Sequence, residues 1–322
     1  MGSPVFSRIF LGSLFVISVL IVNFIFSPIE RVIYLVKLKP EVKVLDIDGI
    51  SFRDLNKNNK LDRYEDYRLD TAQRVEDLIS QMTLEEKVGT LFHPPVTINP
   101  DWMFRLYSLF VDGGKLTESE IINQHINHFN LYGNPKPERL AKRLNSLQKI
   151  ASRSRLGIPV TISSDPIHEV PNGGGVASFS LDGFSKWPSQ LGLAASQDPS
   201  LVKQFAEIAR EEYLAVGIRT ALHPMADLAT EPRWARNFGT FGSDNVLSSK
   251  LTMAYMDGFQ GETIDSQSVM TMVKHFPGGG PQENGLDPHL FSGRNQIYPG
   301  NMFDYHVKPF IDAINNNLAV IM

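Results

Sequence analysis

Asp54, Asn56, Asn58, Lys60, Asp62 and Glu65 stand at positions 1, 3, 5, 7, 9 and 12 of a twelve-residue stretch. That is the ligand order of an EF-hand loop, which gathers about six to eight hard oxygens around one calcium ion. Lys60 would offer its backbone carbonyl and Glu65 a bidentate carboxylate. Asn59 takes the sixth position, where Gly is usual, and Asn is the next residue to tolerate a positive φ. The spacing predicts a single structural calcium loop; the plainer alternative is a polar linker. Further along, polar residues follow short apolar runs: Asp165 after 159–164, the loop from His223 to Arg236, and Lys274-His275 within 268–276. In alternating α/β chains the chemistry gathers at the carboxyl ends of strands. With no cysteine in 322 residues, disulfides, thiolate metal sites and cysteine nucleophiles are excluded, leaving carboxylate, histidine, lysine, serine and tyrosine chemistry. Taken singly, each residue has a structural alternative. Asp165 would cap a loop before Pro166, Arg233 and Arg236 would pair with Glu231 or Asp244, and His275 would be a satisfied core histidine.

The elements that must position these groups alternate between helical and extended patterns. Residues 70–82 carry Val75, Leu78, Ile79 and Met82 at helical spacing, and Thr83-x-x-Glu86 is a capping box opening a second helix. Strands are expected at 126–132, 159–165, 218–222, 268–276 and 318–322, and helices at 137–152, 199–216, 244–260 and 303–317. Asp198-Pro199 supplies an N-cap and N1 pair and Gly217 a stop. This order predicts an α/β fold with a parallel sheet. No GxGxxG or GxxxxGK sequence opens a helix, which removes nucleotide binding. The glycine-rich turns at 112–114, 173–175 and 278–280 read as places where a polar ligand meets backbone.

A net charge of −4, from 31 Lys+Arg and 35 Asp+Glu, argues against nucleic acid as a partner, and 42% hydrophobic residues suit a folded core. Residues 9–26 are uncharged and nearly all apolar, long enough for a short membrane span, with no small-x-small cleavage pattern after them. The expectation is therefore a membrane anchor or signal segment over 1–30, a linker with the calcium loop over 31–69, and an α/β domain over 70–322. The protein would be membrane-anchored through 9–26 and face the periplasm or cell surface, or be secreted if that segment is cleaved.

Six ordered stretches within about residues 70–322 resemble glycoside hydrolase family 3, the β-glucosidase-like enzymes. They are MTLEEKVGTLF (82–92), RLGIPVTISSDPIHE (155–169), WPSQLGLAASQDPSLV (187–202), EPRWARNFGTFGSD (231–244), TMVKHFPGGG (271–280) and AVIM (319–322). The resemblance implies a (β/α)₈ barrel, here incomplete with about five of its eight strands, and a β-linked oligosaccharide or glycoside as partner. It places Asp165, Arg236, Lys274 and His275 around the hydroxyls of the terminal sugar. It implies retaining hydrolysis of terminal non-reducing β-D-glycosyl residues, β-glucosyl foremost, through a carboxylate nucleophile, with no cofactor for catalysis. The family's Ser-Asp-Trp nucleophile motif does not occur in these residues, so a truncated chain without turnover is expected. Two alternatives stand. Asp287-Pro288-His289 resembles the Asp-His acid/base loop of the β-N-acetylhexosaminidase branch, with Asp287 setting the tautomer of His289. A non-catalytic sugar-binding or structural remnant is the other.

Overall fold

The stretch 54–65 is closed by its own hydrogen bonds. In the computed structural model, which describes residues 32–98, 117–169 and 181–322, Asp54 accepts from the Asn58 and Asn59 amides at 3.0 and 3.1 Å. Glu65 accepts from the amides of Leu55, Asn56 and Asp62 at 2.6, 3.2 and 3.0 Å, and Asp62 takes the side-chain amides of Asn56 and Asn58. The side chains nominated for calcium are thus spent on N–H groups. Among the described residues, no three His, Asp or Glu side chains come together to hold a metal. Asn59 does take the positive φ expected of it, 61°. The loop is tied down by a cation of its own, the Lys57 ammonium, which donates to Leu55 O, Ser152 O (2.7 Å) and Ser154 O (2.8 Å).

The apolar stretch 9–26 and the glycine turns at 112–114 and 173–175 lie outside the described residues. Within them no helix is long and apolar enough to cross a membrane. The chain divides into two compact units, Met1–Gly133 with Lys142–Thr161, and Asn134–Ala141 with Ile162–Met322.

In the first unit, β1 (Lys43–Ile47) and β2 (Ile50–Asp54) form an antiparallel hairpin turned by Asp48-Gly49, both at positive φ as a two-residue turn requires. Tyr64, nearly buried, donates its hydroxyl to Leu156 O at 3.1 Å, so the expected linker is packed onto its own unit. α1 (Thr71–Gln81) starts at Asp70, whose carboxylate accepts from the Gln73 amide. α2 (Leu84–Gly89) starts at the Thr83/Glu86 capping box read from the sequence. Arg155 joins both helices, donating to the Glu86 carboxylate and to Gln81 O. β3 (Pro95–Thr97) and β4 (His128–Tyr132) pair in parallel, with α3 (Thr117–Asn123) between them in sequence. The next helix, α4 (Pro137–Ala151), buries Leu140, Leu144 and Leu147 at the spacing of one helical face.

The second unit carries β5 (Thr161–Ser164), β6 (Thr220–Ala221), β7 (Met270–Val273) and β8 (Val320–Ile321), paired in parallel in chain order. Between them run α5 (Gln190–Ala194), α6 (Pro199–Val216), α7 (Asn245–Gln260) and α8 (Phe303–Asn315). α6 begins at the Asp198 cap with Pro199 at N1 and ends at Gly217 in the left-handed region, φ 93°, as its sequence dictates. Ala226, Met256, Val273, Phe310 and Ala313 form a fully buried cluster. Ala226 and Val273 immediately precede Asp227 and Lys274, so the apolar packing fixes where those polar side chains emerge. The strands are shorter than their apolar patterns, because pairing stops where polar site residues begin. Among the described residues the first unit has two parallel strands, β3 and β4, and the second has four, β5–β8, one more in all than the five expected from 70–322; Pro95–Thr97 is too short for its alternation to register in the sequence.

Candidate functional site

Asp165 follows β5, and Lys274 and His275 follow β7, so all three leave the carboxyl ends of parallel strands on either side of β6. Lys274 is 5% exposed and its ammonium donates to Asp165 Oδ1 at 2.7 Å. Asp165 is therefore an ion-pair partner and not a loop cap. The next residue, His275, faces a different carboxylate. Its Nδ1 is 2.8 Å from Oδ2 of Asp227, a wholly buried residue beyond β6, and its backbone amide also donates to Asp227 at 3.2 Å. Arg236 completes the set, with Nη1 3.1 Å from His275 Nε2. A guanidinium only donates, so Nε2 accepts and the ring proton sits on Nδ1, facing Asp227. The other contact of Arg236 is the weak acceptor Met225 Sδ, at 3.8 Å. No carboxylate forms an ion pair with it among the described residues, although its charge helps the His289 contacts to lower the Asp287 carboxyl against burial, and the free fork suits a group that grips ligand oxygens. Arg233, the other arginine of this loop, is spent on Glu231 at 2.8 Å on the surface.

A buried relay holds the floor in place. His223 is enclosed between two tyrosines, with Nδ1 2.5 Å from Tyr255 Oη and Nε2 3.0 Å from Tyr213 Oη. Tyr213 donates its proton to Asp165 O at 3.1 Å, so it accepts from His223 Nε2–H, and Nδ1 accepts from Tyr255. Burial, aided by the Lys274 charge, pushes the His223 pKa well below its usual value and keeps the ring neutral for both bonds. The 278–280 glycines serve the protein itself: the Gly279 amide donates to Asp227, and Gly280 lies against Leu228 O with no space for a Cβ. They are not an opening for ligand, as their composition suggested.

Four of the residues expected from the sequence (Asp165, Arg236, Lys274 and His275) are thus brought together. Asp287 and His289 pair with each other at 2.5 Å, but in a turn where His289 also donates its amide to Asp287, and the imidazole is 74% exposed. Two residues were missed. Asp227 occupies a strand-end position equivalent to Asp165, and that placement within the His223–Arg236 loop was the available signal. Glu169 is 5% exposed, and burial pushes its carboxyl up from the usual 4.5 to about 7, against the pull of Lys274. Nothing in its local sequence marks it.

The shift has a sign that can be measured. Below pH 4.5 the acid is neutral in both folded and unfolded chains. Between 4.5 and about 7 the unfolded chain releases a proton that the folded chain keeps, so stability falls as pH rises through that window. The fall is on the order of 3 kcal/mol at most, and Glu169→Gln should remove it. Urea midpoints of both proteins from pH 4 to 8 check this; parallel curves would refute it.

A family model described as "Glycosyl hydrolase family 3 N terminal domain" matches residues 83–322. The chain belongs to glycoside hydrolase family 3. It is 48% identical over 272 residues to Beta-glucosidase C of Emericella nidulans, a match covering 84% of this chain and 43% of the relative. A periplasmic beta-glucosidase/beta-xylosidase of Dickeya chrysanthemi is 40% identical over 305 residues, covering 92% and 46%. The chain therefore spans less than half the length of these relatives. The fold is shared with a mutant beta-glucosidase of Listeria innocua in complex with laminaribiose (TM-score 0.60, 24% identity, 79% of this chain and 32% of that one). It is also shared with a beta-glucoside phosphorylase (TM-score 0.62, 22% identity, 80% and 41%). These likenesses agree with the α/β architecture and parallel strands of the family 3 chain.

Proposed function

We propose that these residues form the glycone-binding part of a β-glucosidase-like glycosidase, which takes the terminal β-D-glucosyl residue of an oligosaccharide or glycoside. The observation that carries this reading is the joining of two carboxylate–cation or carboxylate–imidazole pairs, Asp165–Lys274 and Asp227–His275, by consecutive residues beside an unmatched Arg236. A pyranose presents hydroxyls that both donate and accept. Fixed charged donors and acceptors therefore select its stereochemistry, and neither a metal nor a cofactor is needed for that. The β-glucosidase names of the similar fungal and bacterial proteins, and the laminaribiose held by the Listeria innocua enzyme, support a β-linked substrate.

Hydrolysis with retention needs two carboxyl groups flanking the scissile bond. The Ser-Asp-Trp motif of the family nucleophile is not in the 322 residues, so we assign them binding and not turnover. The exposed His289 lends no support to hexosaminidase-type acid/base chemistry. An extracytoplasmic, membrane-tethered setting is supported by the apolar stretch 9–26 and the periplasmic Dickeya relative.

The experiment is titration of the 322-residue chain with D-glucose in a calorimeter, beside an assay with an aryl β-glucoside. Saturable binding, lost in Asp165→Ala, without release of the aryl alcohol is expected. Release that Asp165→Ala abolishes would overturn the assignment of binding without turnover. Absence of glucose binding would overturn the glycone site itself.

A further inference from the structure

Glu169 stands in the second unit with a carboxyl that has no visible occupation. Its Oε2 is buried without a hydrogen-bond partner, and no ion pair joins it to any described residue. An isolated carboxyl in that state is costly unless something completes it. Glu169 lines a cavity of about 20 Å³ together with Gln190, His223, Met225, Arg236 and Lys274.

Apart from Arg236, whose guanidinium meets only His275 Nε2 and Met225 Sδ, the polar side chains named here are satisfied. Gln190 exchanges both side-chain bonds with the Met225 backbone, at 3.1 and 2.9 Å. Both His223 nitrogens face tyrosine hydroxyls, and the Lys274 ammonium faces Asp165. Among the described residues Glu169 Oε2 has no hydrogen-bond partner, so that oxygen is open to a group that enters the cavity. A space of about 20 Å³ admits one water or one hydroxyl and excludes a sugar ring. Arg236 and Lys274, which border the same space, are two of the residues that grip the glycone in the reading above.

We propose that Glu169 is a specificity-determining residue of the glycone site, whose carboxyl receives a single hydroxyl of the bound sugar in the small cavity it shares with Arg236 and Lys274. This rests on the glycone reading above and adds to it one defined contact. The ligand class is a neutral monohydroxylated arm of a pyranose. The contact is to one carbon's hydroxyl, so the site should discriminate sharply against the sugar lacking that oxygen and little against the other deoxy sugars.

The test measures, by calorimetry on the full chain, binding of D-glucose and its 2-, 3-, 4- and 6-deoxy analogues to the unaltered protein, Glu169→Leu and Glu169→Gln. For one deoxy analogue, the unaltered protein is expected to lose about tenfold more affinity than for glucose, the weight of one hydrogen bond. In Glu169→Leu that same penalty should vanish while penalties at other positions persist. Glu169→Gln, which keeps the shape and a donor, should retain part of it and guards against a Leu variant that fails to fold. If glucose binds and every deoxy penalty is unchanged in both variants, the cavity holds only water and the proposal is overturned. If the unaltered protein binds none of these sugars, the glycone reading fails and this contact fails with it.

Discussion

Asp227→Ala should unfold the second unit at markedly lower denaturant and abolish sugar binding together. Asp227 is wholly buried and accepts from three N–H groups: the His275 amide, the His275 ring and the Gly279 amide. Alanine leaves all three without their common acceptor, at a carboxylate that is itself fully buried. Losing the acceptor that satisfies a buried donor costs about 1–3 kcal/mol, and here three donors share the one carboxylate. Binding fails for a separate reason, since the tautomer and direction of His275 are set by this carboxylate. Asp227→Asn separates the two effects. Its amide oxygen still accepts but its NH₂ group confronts donors, so a smaller loss of about 1–3 kcal/mol is expected. Urea unfolding gives the stability and glucose calorimetry the binding. An alanine variant with an unchanged midpoint would show that Asp227 is not the anchor of this site.

Gly280→Ala should be nearly as damaging although the added group is one methyl. A Cβ built on Gly280 would lie 1.7 Å from Leu228 O and 2.7 Å from its carbonyl carbon, both backbone atoms that no rotamer change can move. Relief requires parting the 278–280 turn from the segment that carries Asp227, which also pulls the Gly279 amide from its carboxylate. Overpacking of this kind costs about 3 kcal/mol or more when backbone must shift. Gly242→Ala is the control. Its φ of 96° opposes a side chain, yet nothing lies within 4 Å, so only the conformational penalty of about 1–2 kcal/mol applies. Thermal unfolding should rank Gly280→Ala well below Gly242→Ala, and the reverse order would contradict the close approach.

What could be foreseen divides along physical lines. The ends of α6 were readable because Asp198, Pro199 and Gly217 act within a single turn. The capping box at Thr83 and Glu86 was readable for the same reason. Asp165, Arg236, Lys274 and His275 carried recognisable neighbours, and the fold does bring them together. Asp227 is not legible because its meaning comes from a partner 48 positions away, His275, and Glu169 because its meaning comes from burial and from the charge of Lys274, 105 positions away. The loop at 54–65 shows a different limit of the sequence. A spacing of oxygen-bearing side chains was present as read, but composition does not tell whether those oxygens face a cation or the backbone amides beside them. In this structure Asp54 and Glu65 accept from loop amides, and the Lys57 ammonium fastens the loop to backbone carbonyls.

Lys274 and His275 are neighbours in the chain, yet each is fastened to a carboxylate at the end of a different strand. The distance between the two grips is therefore set by covalent bonds, which do not stretch, rather than by packing, which yields. The end of β7 thus ties together the carboxylates that follow β5 and β6. Any drift of that strand is felt at both carboxylates together, so the site keeps its proportions or loses them whole.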